Sequence, residues 1–299
     1  MVKSGLVVRS YSGYYYVDCD GVLITCKVKG HMKQKRFSLC TGDRVQIEWN
    51  PDKAGSEGMI VSVLPRKNYL DRPTVANLDL LVITLALVQP DFSFLIMDKL
   101  LVLAEAAKIP VLLVLTKADL ATEEQSEAIA SVYRNIGYET YVISSKTGRG
   151  IDILRQRLAG KVTAFGGPSG VGKSSALNAI QPGVTRTTGE ISSKIKRGRH
   201  TTRYTELLPF NGGYLADTPG FGNVLIENLE PEALPACFPE FKKFEKKCKF
   251  SPCSHTHEPV CGVKAAVEEN KIALSRYTSY LSILEEVKEN KARNRRLSR

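Results

Sequence analysis

One eight-residue stretch places glycines, a lysine and a serine at the spacing of a phosphate-binding loop. Residues 167–174 read Gly-Pro-Ser-Gly-Val-Gly-Lys-Ser and match G-x-x-x-x-G-K-[ST] at every fixed position. In such loops backbone N–H groups surround nucleotide phosphates, the lysine reaches the outer phosphates, and the serine hydroxyl ligates Mg²⁺. A β-prone run precedes the loop and a helix-forming run follows it, which disfavours a chance glycine turn. The predicted phosphate-binding residues are Gly167, Pro168, Ser169, Gly170, Val171, Gly172, Lys173, Ser174 and Ser175.

Two short motifs point to guanine as the base. Thr116-Lys-Ala-Asp119 follows an apolar run and resembles N-K-x-D, with Thr where Asn is usual. The Asp119 carboxylate can accept hydrogen bonds from guanine N1–H and the exocyclic amino group, and adenine offers neither donor there. Lys117 can pack along the base. Ser144-Ser145-Lys146 resembles the S-A-K loop that contacts guanine through backbone N–H groups. Because a hydroxyl lacks the second group of an amide, Thr116 makes the affinity uncertain but not the choice of guanine.

Two further motifs lie where phosphate-sensing switch loops are expected. Asp217-Thr-Pro-Gly220 follows an apolar run, so Asp217 can hold Mg²⁺ through water and the Gly220 N–H can meet the terminal phosphate. Gly198-Arg-His-Thr-Thr202 lies between this motif and the phosphate loop. Either Thr201 or Thr202 is the expected magnesium ligand, and the sequence does not choose between them.

The candidate catalytic residues are His200 and Lys173. Phe221 stands where many nucleotide hydrolases carry a glutamine that orients the attacking water, so unassisted hydrolysis should be slow. His200 can orient that water or accept its proton, and the alternative is that it contacts nucleic acid or solvent. Lys173 neutralises charge on the transferred phosphoryl group.

Four potential soft metal ligands fall within 14 residues, at Cys248, Cys253, His255 and Cys261. Three thiolates and one imidazole satisfy tetrahedral Zn²⁺ without an open position, which predicts one structural zinc ion. His257 is the competing histidine. Four other cysteines are scattered, and the odd total of seven argues against a disulfide framework.

Charge and hydropathy point to a polyanionic partner and away from membranes. Lys and Arg total 42 against 31 Asp and Glu, a net charge of +11. The excess is concentrated in residues 191–203, 242–249 and 288–299, although any single basic run can be only a solvated face. Apolar stretches are far shorter than the roughly 20 residues that span a bilayer, and no signal peptide is visible. We therefore expect a cytoplasmic protein.

Three structural regions are predicted to position the phosphate-binding, base-binding and metal-binding residues. Residues 1–68 carry five short β-prone runs, which predict a small barrel of the OB type; Tyr14–Tyr16 are either stacking surfaces for bases or simple strand packing. Residues 69–226 alternate strand and helix, which predicts an α/β sheet with helices on both faces. Residues 227–299 hold the cysteine cluster and a helical C-terminal segment. The base motifs precede the phosphate loop, the reverse of the usual order, so the α/β domain is predicted to be circularly permuted, joined near 159–161.

This combination of motifs resembles the RsgA (YjeQ/YloQ) family of circularly permuted GTPases over essentially the whole chain. The resemblance implies an OB-fold domain, a permuted GTPase domain and a zinc domain whose ligands are Cys248, Cys253, His255 and Cys261. It also implies binding to a late precursor of the 30S ribosomal subunit, through 16S rRNA, and GTP hydrolysis that the subunit stimulates, with His200 as the catalytic histidine. We expect Mg²⁺ with GTP, no membrane partner and a monomer. The alternatives are an RNA-binding module that holds GTP without turnover and an ATP-dependent enzyme, which Asp119 argues against.

Overall fold

The N-terminal region is a closed five-stranded barrel in the computed structural model, which describes residues 1–29, 38–50, 57–71, 74–184, 205–217, 226 and 229–297. Its strands are β1 (Val2–Tyr11), β2 (Tyr14–Cys19), β3 (Val22–Val28), β4 (Arg44–Glu48) and β5 (Gly58–Val63). The order is β1-β2-β3-β5-β4, closed by pairing of β4 with β1, and β3 and β5 form the parallel pair. Alternate residues such as Val7, Val17 and Ile47 fill the interior. The predicted OB-type barrel is confirmed.

The central region is a six-stranded sheet that follows a short ribbon of β6 (Tyr69–Leu70) and β7 (Val75–Ala76). Its strands are β8 (Leu80–Ala86), β9 (Val111–Thr116), β10 (Thr140–Val142), β11 (Val162–Gly166), β12 (Glu206–Phe210) and β13 (Gly213–Asp217). The order is β10-β9-β8-β11-β13-β12, and every neighbouring pair is parallel except β12 with β13. All seven residues of β8 are buried, as expected for a strand covered on both faces.

Helices cover both faces of this sheet, as predicted. They are α1 (Phe94–Ala106), α2 (Glu123–Arg134), α3 (Ile151–Leu158) and α4 (Lys173–Ile180). Helices α1 and α2 share a core with Leu81 and Ile83 of β8, whereas α3 and α4 share a core with Leu80 and Val82. Successive strand residues therefore face opposite layers, which is the period-two pattern of a pleated strand.

The C-terminal region packs around a core built from 3₁₀ turns and two helices, to which Val102 of α1 also contributes. The turns are Pro231–Cys237, Phe241–Lys243 and Glu245–Lys247, and the helices are α5 (Gly262–Glu268) and α6 (Leu274–Leu297). Tyr280, Ile283, Leu284 and Val287 of α6 are buried in this core, whereas Leu281 is exposed. Among the described helices, none has the length and apolar character needed to cross a membrane.

Polar contacts hold the barrel against the hairpin of β12 and β13. The Thr41 hydroxyl donates to the Thr205 carbonyl at 2.7 Å, Arg9 pairs with Glu206 at 3.4 Å, and the Tyr214 hydroxyl donates to Asp18. The Arg9 guanidinium also lies over the Tyr16 ring at 4.0 Å. Tyr16 is thus engaged at this domain boundary, which leaves less of the Tyr14–Tyr16 run for stacking on bases.

A buried arginine joins the C-terminal region to the central domain. The Arg276 side chain on α6 is 1% exposed and donates to Asp98 of α1 at 2.5 Å and to Glu240 at 2.7 Å. The Tyr133 hydroxyl of α2 donates to the same Asp98 carboxylate at 3.0 Å, and the Phe238 ring lies 4.5 Å from the guanidinium. Burial raises the pKa of Asp98, and the charge of Arg276 opposes that shift. Each charge in this network is therefore compensated only by the others.

We expect Arg276→Ala to lower the free energy of unfolding by about 3–5 kcal/mol, because it leaves two carboxylates buried without a cation. Urea titration followed by circular dichroism measures the change. Lys271→Ala is the control: it removes a lysine from an exposed ion pair with Glu269 and should leave the transition midpoint where it is. A loss below about 1 kcal/mol for Arg276→Ala would contradict this account of the network.

Candidate nucleotide site and metal centre

The base motif and the phosphate loop meet at one edge of the central sheet. Thr116 is the last residue of β9, and the loop 167–172 follows the last residue of β11. Both strands pair in parallel with β8, so their carboxyl ends lie at the same edge of the sheet, on either side of β8. The edge beyond the carboxyl ends of parallel strands is where open α/β sheets bind ligands.

The loop's shape requires glycine at two points. Gly167 has φ +138°, and a Cβ there would lie 2.0 Å from the Thr84 carbonyl oxygen. Gly172 has φ +94° and precedes the first residue of α4. The backbone therefore turns closely around the end of β8 and leads directly into a helix N-terminus, where anions are favoured.

Lys173 lies folded over the loop that it follows. Its ammonium group donates to the carbonyl oxygens of Gly167 at 2.7 Å and of Pro168 at 2.6 Å. Burial lowers the pKa of Lys173, so an anion at this site would favour the charged form. Ser169, Gly170, Ser174 and Ser175 are exposed around it, whereas Val171 is buried.

The two loops that are predicted to read the base are joined by a short chain of hydrogen bonds. The Thr147 N–H donates to the Ser144 hydroxyl at 3.2 Å, and that hydroxyl donates to the Asp119 carboxylate at 2.6 Å. The bond from Ser144 lowers the pKa of Asp119, and Lys146 adds to the effect, so the exposed carboxyl is kept ionised. Ser145 follows at the loop's start, partly buried. An ionised, oriented acceptor is what recognition of two guanine N–H donors requires.

Two contacts around these loops were not predicted from the sequence. Arg149 forms two hydrogen bonds to Glu123, each 2.8 Å long, and so links the segment after Ser144 to the start of α2. The Lys117 ammonium donates to the Gln89 carbonyl. No motif marks Arg149, Glu123 or Gln89, because each contact joins residues more than 25 positions apart.

Several predicted residues lie outside the described part of the chain. They are His200, Thr201, Thr202, Gly220 and Phe221, together with the basic run 191–203. Asp217 is described as the last residue of β13, without its side chain. The carboxyl end of β13 neighbours that of β11, so the backbone of Asp217 reaches the same edge as the phosphate loop.

The four predicted metal ligands converge on one point. The ligand atoms of Cys248, Cys253, His255 and Cys261 all lie within 4.8 Å of one another. His255 Nδ1 is 3.4 Å from the Cys261 sulfur and 3.7 Å from the Cys248 sulfur. Burial lowers the pKa of His255, which favours the neutral imidazole that ligates metals. The competing His257 is exposed and bonds to Thr256 instead. The donor set and its spacing fit a tetrahedral metal ion.

Glu258 holds the loop that carries His255. Its carboxylate accepts from the Ser254 N–H at 2.6 Å, the Ser254 hydroxyl at 2.7 Å and the Thr256 N–H at 2.9 Å. Burial would raise the pKa of Glu258, but these bonds lower it to about 2. The Tyr277 hydroxyl donates to the His255 carbonyl at 2.7 Å, which fixes the loop to α6. A carboxylate three residues before the last cysteine was the available sequence signal, and it was missed.

Comparison with known proteins places the whole architecture in one family. Sequence models described as the RsgA N-terminal domain and the RsgA GTPase match residues 4–60 and 63–227. The small ribosomal subunit biogenesis GTPase RsgA of Alkaliphilus metalliredigens (strain QYMF) is 40% identical over 97% of this chain and 99% of that relative. The crystal structure of YjeQ from Thermotoga maritima has a TM-score of 0.82 and 39% identity, covering 96% of this chain and 99% of its own.

A second solved structure shares the unusual order of motifs. YloQ, described as a circularly permuted GTPase, has a TM-score of 0.81 and 35% identity, covering 97% of this chain and 96% of its own. The matches run from the barrel through the cysteine cluster, as the motifs predicted. The chain belongs to the RsgA GTPase family.

Proposed function

We propose that this chain hydrolyses GTP as a step in the biogenesis of the small ribosomal subunit. The observation that carries the proposal is the convergence of Asp119, Ser144 and the loop 167–174 on one sheet edge, although the base motif comes first in the chain. The names of the relatives, small ribosomal subunit biogenesis GTPases, supply the biological setting. The partners would be a 30S subunit or its late precursor, bound through 16S rRNA, by a cytoplasmic monomer.

Guanine would be selected by Asp119. Its ionised carboxylate accepts from N1–H and the exocyclic amino group, while Lys117 packs along the ring and residues 144–146 offer backbone N–H groups. Adenine would leave the carboxylate without donors in a site built around it, which disfavours ATP strongly. The bond from Ser144 holds the carboxylate in position at 2.6 Å before any base arrives.

The triphosphate would be held by the loop amides and Lys173. On binding, the Lys173 ammonium exchanges the Gly167 and Pro168 carbonyls for phosphate oxygens, which relieves the cost of its burial. Mg²⁺, when bound, would neutralise phosphate charge, and Ser174, Asp217 and one of Thr201 and Thr202 would hold it. Lys173 and the amides act most strongly as negative charge shifts toward the leaving oxygen.

Hydrolysis would depend on His200, which we propose orients the attacking water or accepts its proton. Since Phe221 cannot supply that function, turnover without the subunit should be slow. The subunit would bring His200 into place, and loss of the terminal phosphate would then trigger release.

The metal centre would carry one structural Zn²⁺ held by Cys248, Cys253, His255 and Cys261, with no open position for chemistry. Five exposed lysines cover the adjoining surface, which we call the basic surface: Lys242, Lys243, Lys246, Lys247 and Lys249. A rigid array of ammonium groups suits rRNA phosphates. We also propose domain boundaries at 68/69 and 226/227, which are supported by the barrel's own core and by the C-terminal core, in which Val102 of α1 also lies.

We expect Asp119→Asn to lose about 100-fold or more in GTP affinity and to gain affinity for XTP. The amide replaces one acceptor by a donor, and xanthine carries a carbonyl where guanine carries the amino group. Competition against a fluorescent guanine nucleotide measures both affinities. Asp152→Asn, the same substitution at an exposed position of α3, is the control. Unchanged preference for GTP in Asp119→Asn would refute this mode of base recognition.

We expect added 30S subunits to raise GTP turnover, and this stimulation to fall more than about tenfold between 50 and 200 mM salt. His200→Ala should lose about 100-fold or more of the stimulated rate and keep GTP affinity. Phosphate release with and without subunits measures turnover, and His257→Ala is the control histidine. Full stimulated turnover in His200→Ala would remove its catalytic role. No turnover in the wild type with subunits would favour an RNA-binding module that holds GTP without hydrolysing it.

We expect about one zinc ion per chain in purified protein and much less in Cys248→Ser, which removes one of four ligands. Atomic emission measures the metal, and thermal unfolding should show a lower midpoint after chelation. Cys237→Ser is the matched control, since Cys237 is buried in the same core but lies outside the four-ligand cluster. Full zinc content in Cys248→Ser would exclude the assigned ligand set.

A further inference from the structure

Thr116 lies between the two halves of the nucleotide site. It is the last residue of β9, 2% exposed, three positions before Asp119. Its hydroxyl donates to the carbonyl of Val171 in the middle of the phosphate loop, and the Leu85 carbonyl of β8 lies farther away at 3.3 Å. A Cβ added at Gly172 would lie 3.4 Å from the same hydroxyl oxygen. The side chain is therefore packed against the loop and does not project freely toward solvent.

The hydroxyl can orient a backbone amide of the loop. Val171 C=O and Gly172 N–H belong to one planar trans peptide, so they point in opposite directions. A carbonyl held against the end of β9 turns the Gly172 N–H away from that strand. Gly172, at φ +94°, is the residue that leads into α4. Under the proposed function, this N–H is one of the donors that a bound phosphate would meet.

The same bond removes Thr116 from base recognition. A threonine hydroxyl has one proton, whereas the carboxamide of Asn has two N–H groups. Once the Thr116 hydroxyl donates its hydrogen bond to the Val171 carbonyl, its oxygen offers only lone pairs. Guanine N7 and O6 are also acceptors, so Thr116 has nothing to donate to them. Between the side chains of Thr116 and Asp119, recognition of the base then falls to Asp119, at the N1 and amino edge.

We propose that Thr116 is a positioning residue that sets the phosphate loop and leaves guanine N7 unread. The proposal rests on the proposed function, since it names what one residue of that site does. It makes two separable claims. Removing the Thr116 hydroxyl weakens phosphate binding without altering base selection, and replacing N7 of the nucleotide leaves its affinity unchanged.

The first test compares three forms of the full chain: wild type, Thr116→Ser, which keeps the hydroxyl, and Thr116→Val, which replaces it by a methyl group. Affinities for GDP and for IDP, which lacks the exocyclic amino group, are measured by fluorescence competition. We expect Thr116→Val to lose about 5–20-fold for both nucleotides, so that their ratio stays at the wild-type value. Thr116→Ser should restore GDP affinity to within about threefold of wild type.

Two outcomes of this comparison overturn the positioning role. One is undiminished GDP affinity in Thr116→Val; the other is a changed ratio of GDP to IDP affinity, the effect expected of Asp119→Asn. Thermal unfolding of the nucleotide-free variants shows whether Thr116→Val is folded.

The second test uses the wild type alone, so it decides even if Thr116→Val fails to fold. In 7-deaza-GDP a C–H group replaces N7, and we expect its affinity to equal that of GDP within about twofold. A loss of tenfold or more overturns the claim that N7 is unread. Wild type that shows no preference for GDP over ADP would contradict the proposed function itself. Wild type that prefers GDP, with 7-deaza-GDP bound much more weakly, contradicts only the present inference.

Discussion

The parallel pairing of β8 with both β9 and β11 is the constraint on which the nucleotide site depends. Ile83 pairs with Gly166 at the end of β11, and Ala86 pairs with Thr116 at the end of β9. These registers place the phosphate loop and the base motif at the same edge of the sheet, on either side of β8. Only strand direction and order in the sheet matter for this, so the site tolerates a chain in which the base motif comes first. The complete burial of β8 makes the register costly to shift, because its leucine, valine and isoleucine side chains pack into two helical cores on opposite faces.

The sequence predicts this architecture well where a local pattern carries the information. Strands alternate with helices, and the helix limits follow recognisable signals. Helix α2, for example, begins at a capping box in which Thr122 and Gln125 exchange hydrogen bonds of 3.0 and 3.1 Å. The group of four candidate metal ligands was predictable for the same reason, since ligands within 14 residues need only one compact loop to meet.

Contacts between distant segments were not predictable in this way. Arg276 lies on a helix rich in charged residues, and nothing in its neighbours marks it as buried. Its partner Asp98 is 178 positions away, so the pair exists only once α6 has packed on α1. The contact of Thr116 was unpredictable in the same way. The sequence shows a hydroxyl where an amide is usual, and only the structure shows that this hydroxyl donates a hydrogen bond to the Val171 carbonyl. A substitution at a motif position is therefore a poor guide to lost function, because the new side chain can make a different contact in the folded protein.

The two flanking regions are attached to the central domain in different ways, and the difference bears on how a nucleotide signal can travel. The barrel contacts Thr205, Glu206 and Tyr214, all on the hairpin whose outer ends adjoin the two predicted switch segments. The hydrogen bond between Thr41 and Thr205 is buried and the other two contacts are partly exposed, while Val8 of β1 packs into the core of the central domain. The C-terminal region is attached through the buried Arg276 network and through Val102 of α1, which lies in its core. Separation would leave Arg276, Asp98 and Glu240 without their charged partners.

The loop that carries His255, fixed to α6 by Tyr277, should therefore move together with α1 and α2, and hence with the side of the site that is predicted to read the base. A change at the terminal phosphate would reach the barrel side more easily, since the hairpin connects directly to the switch segments. Under the proposed function, the basic surface supplies steady attachment to RNA. The junction of the barrel with β12 and β13 is then the place where GTP hydrolysis can alter the affinity for the subunit.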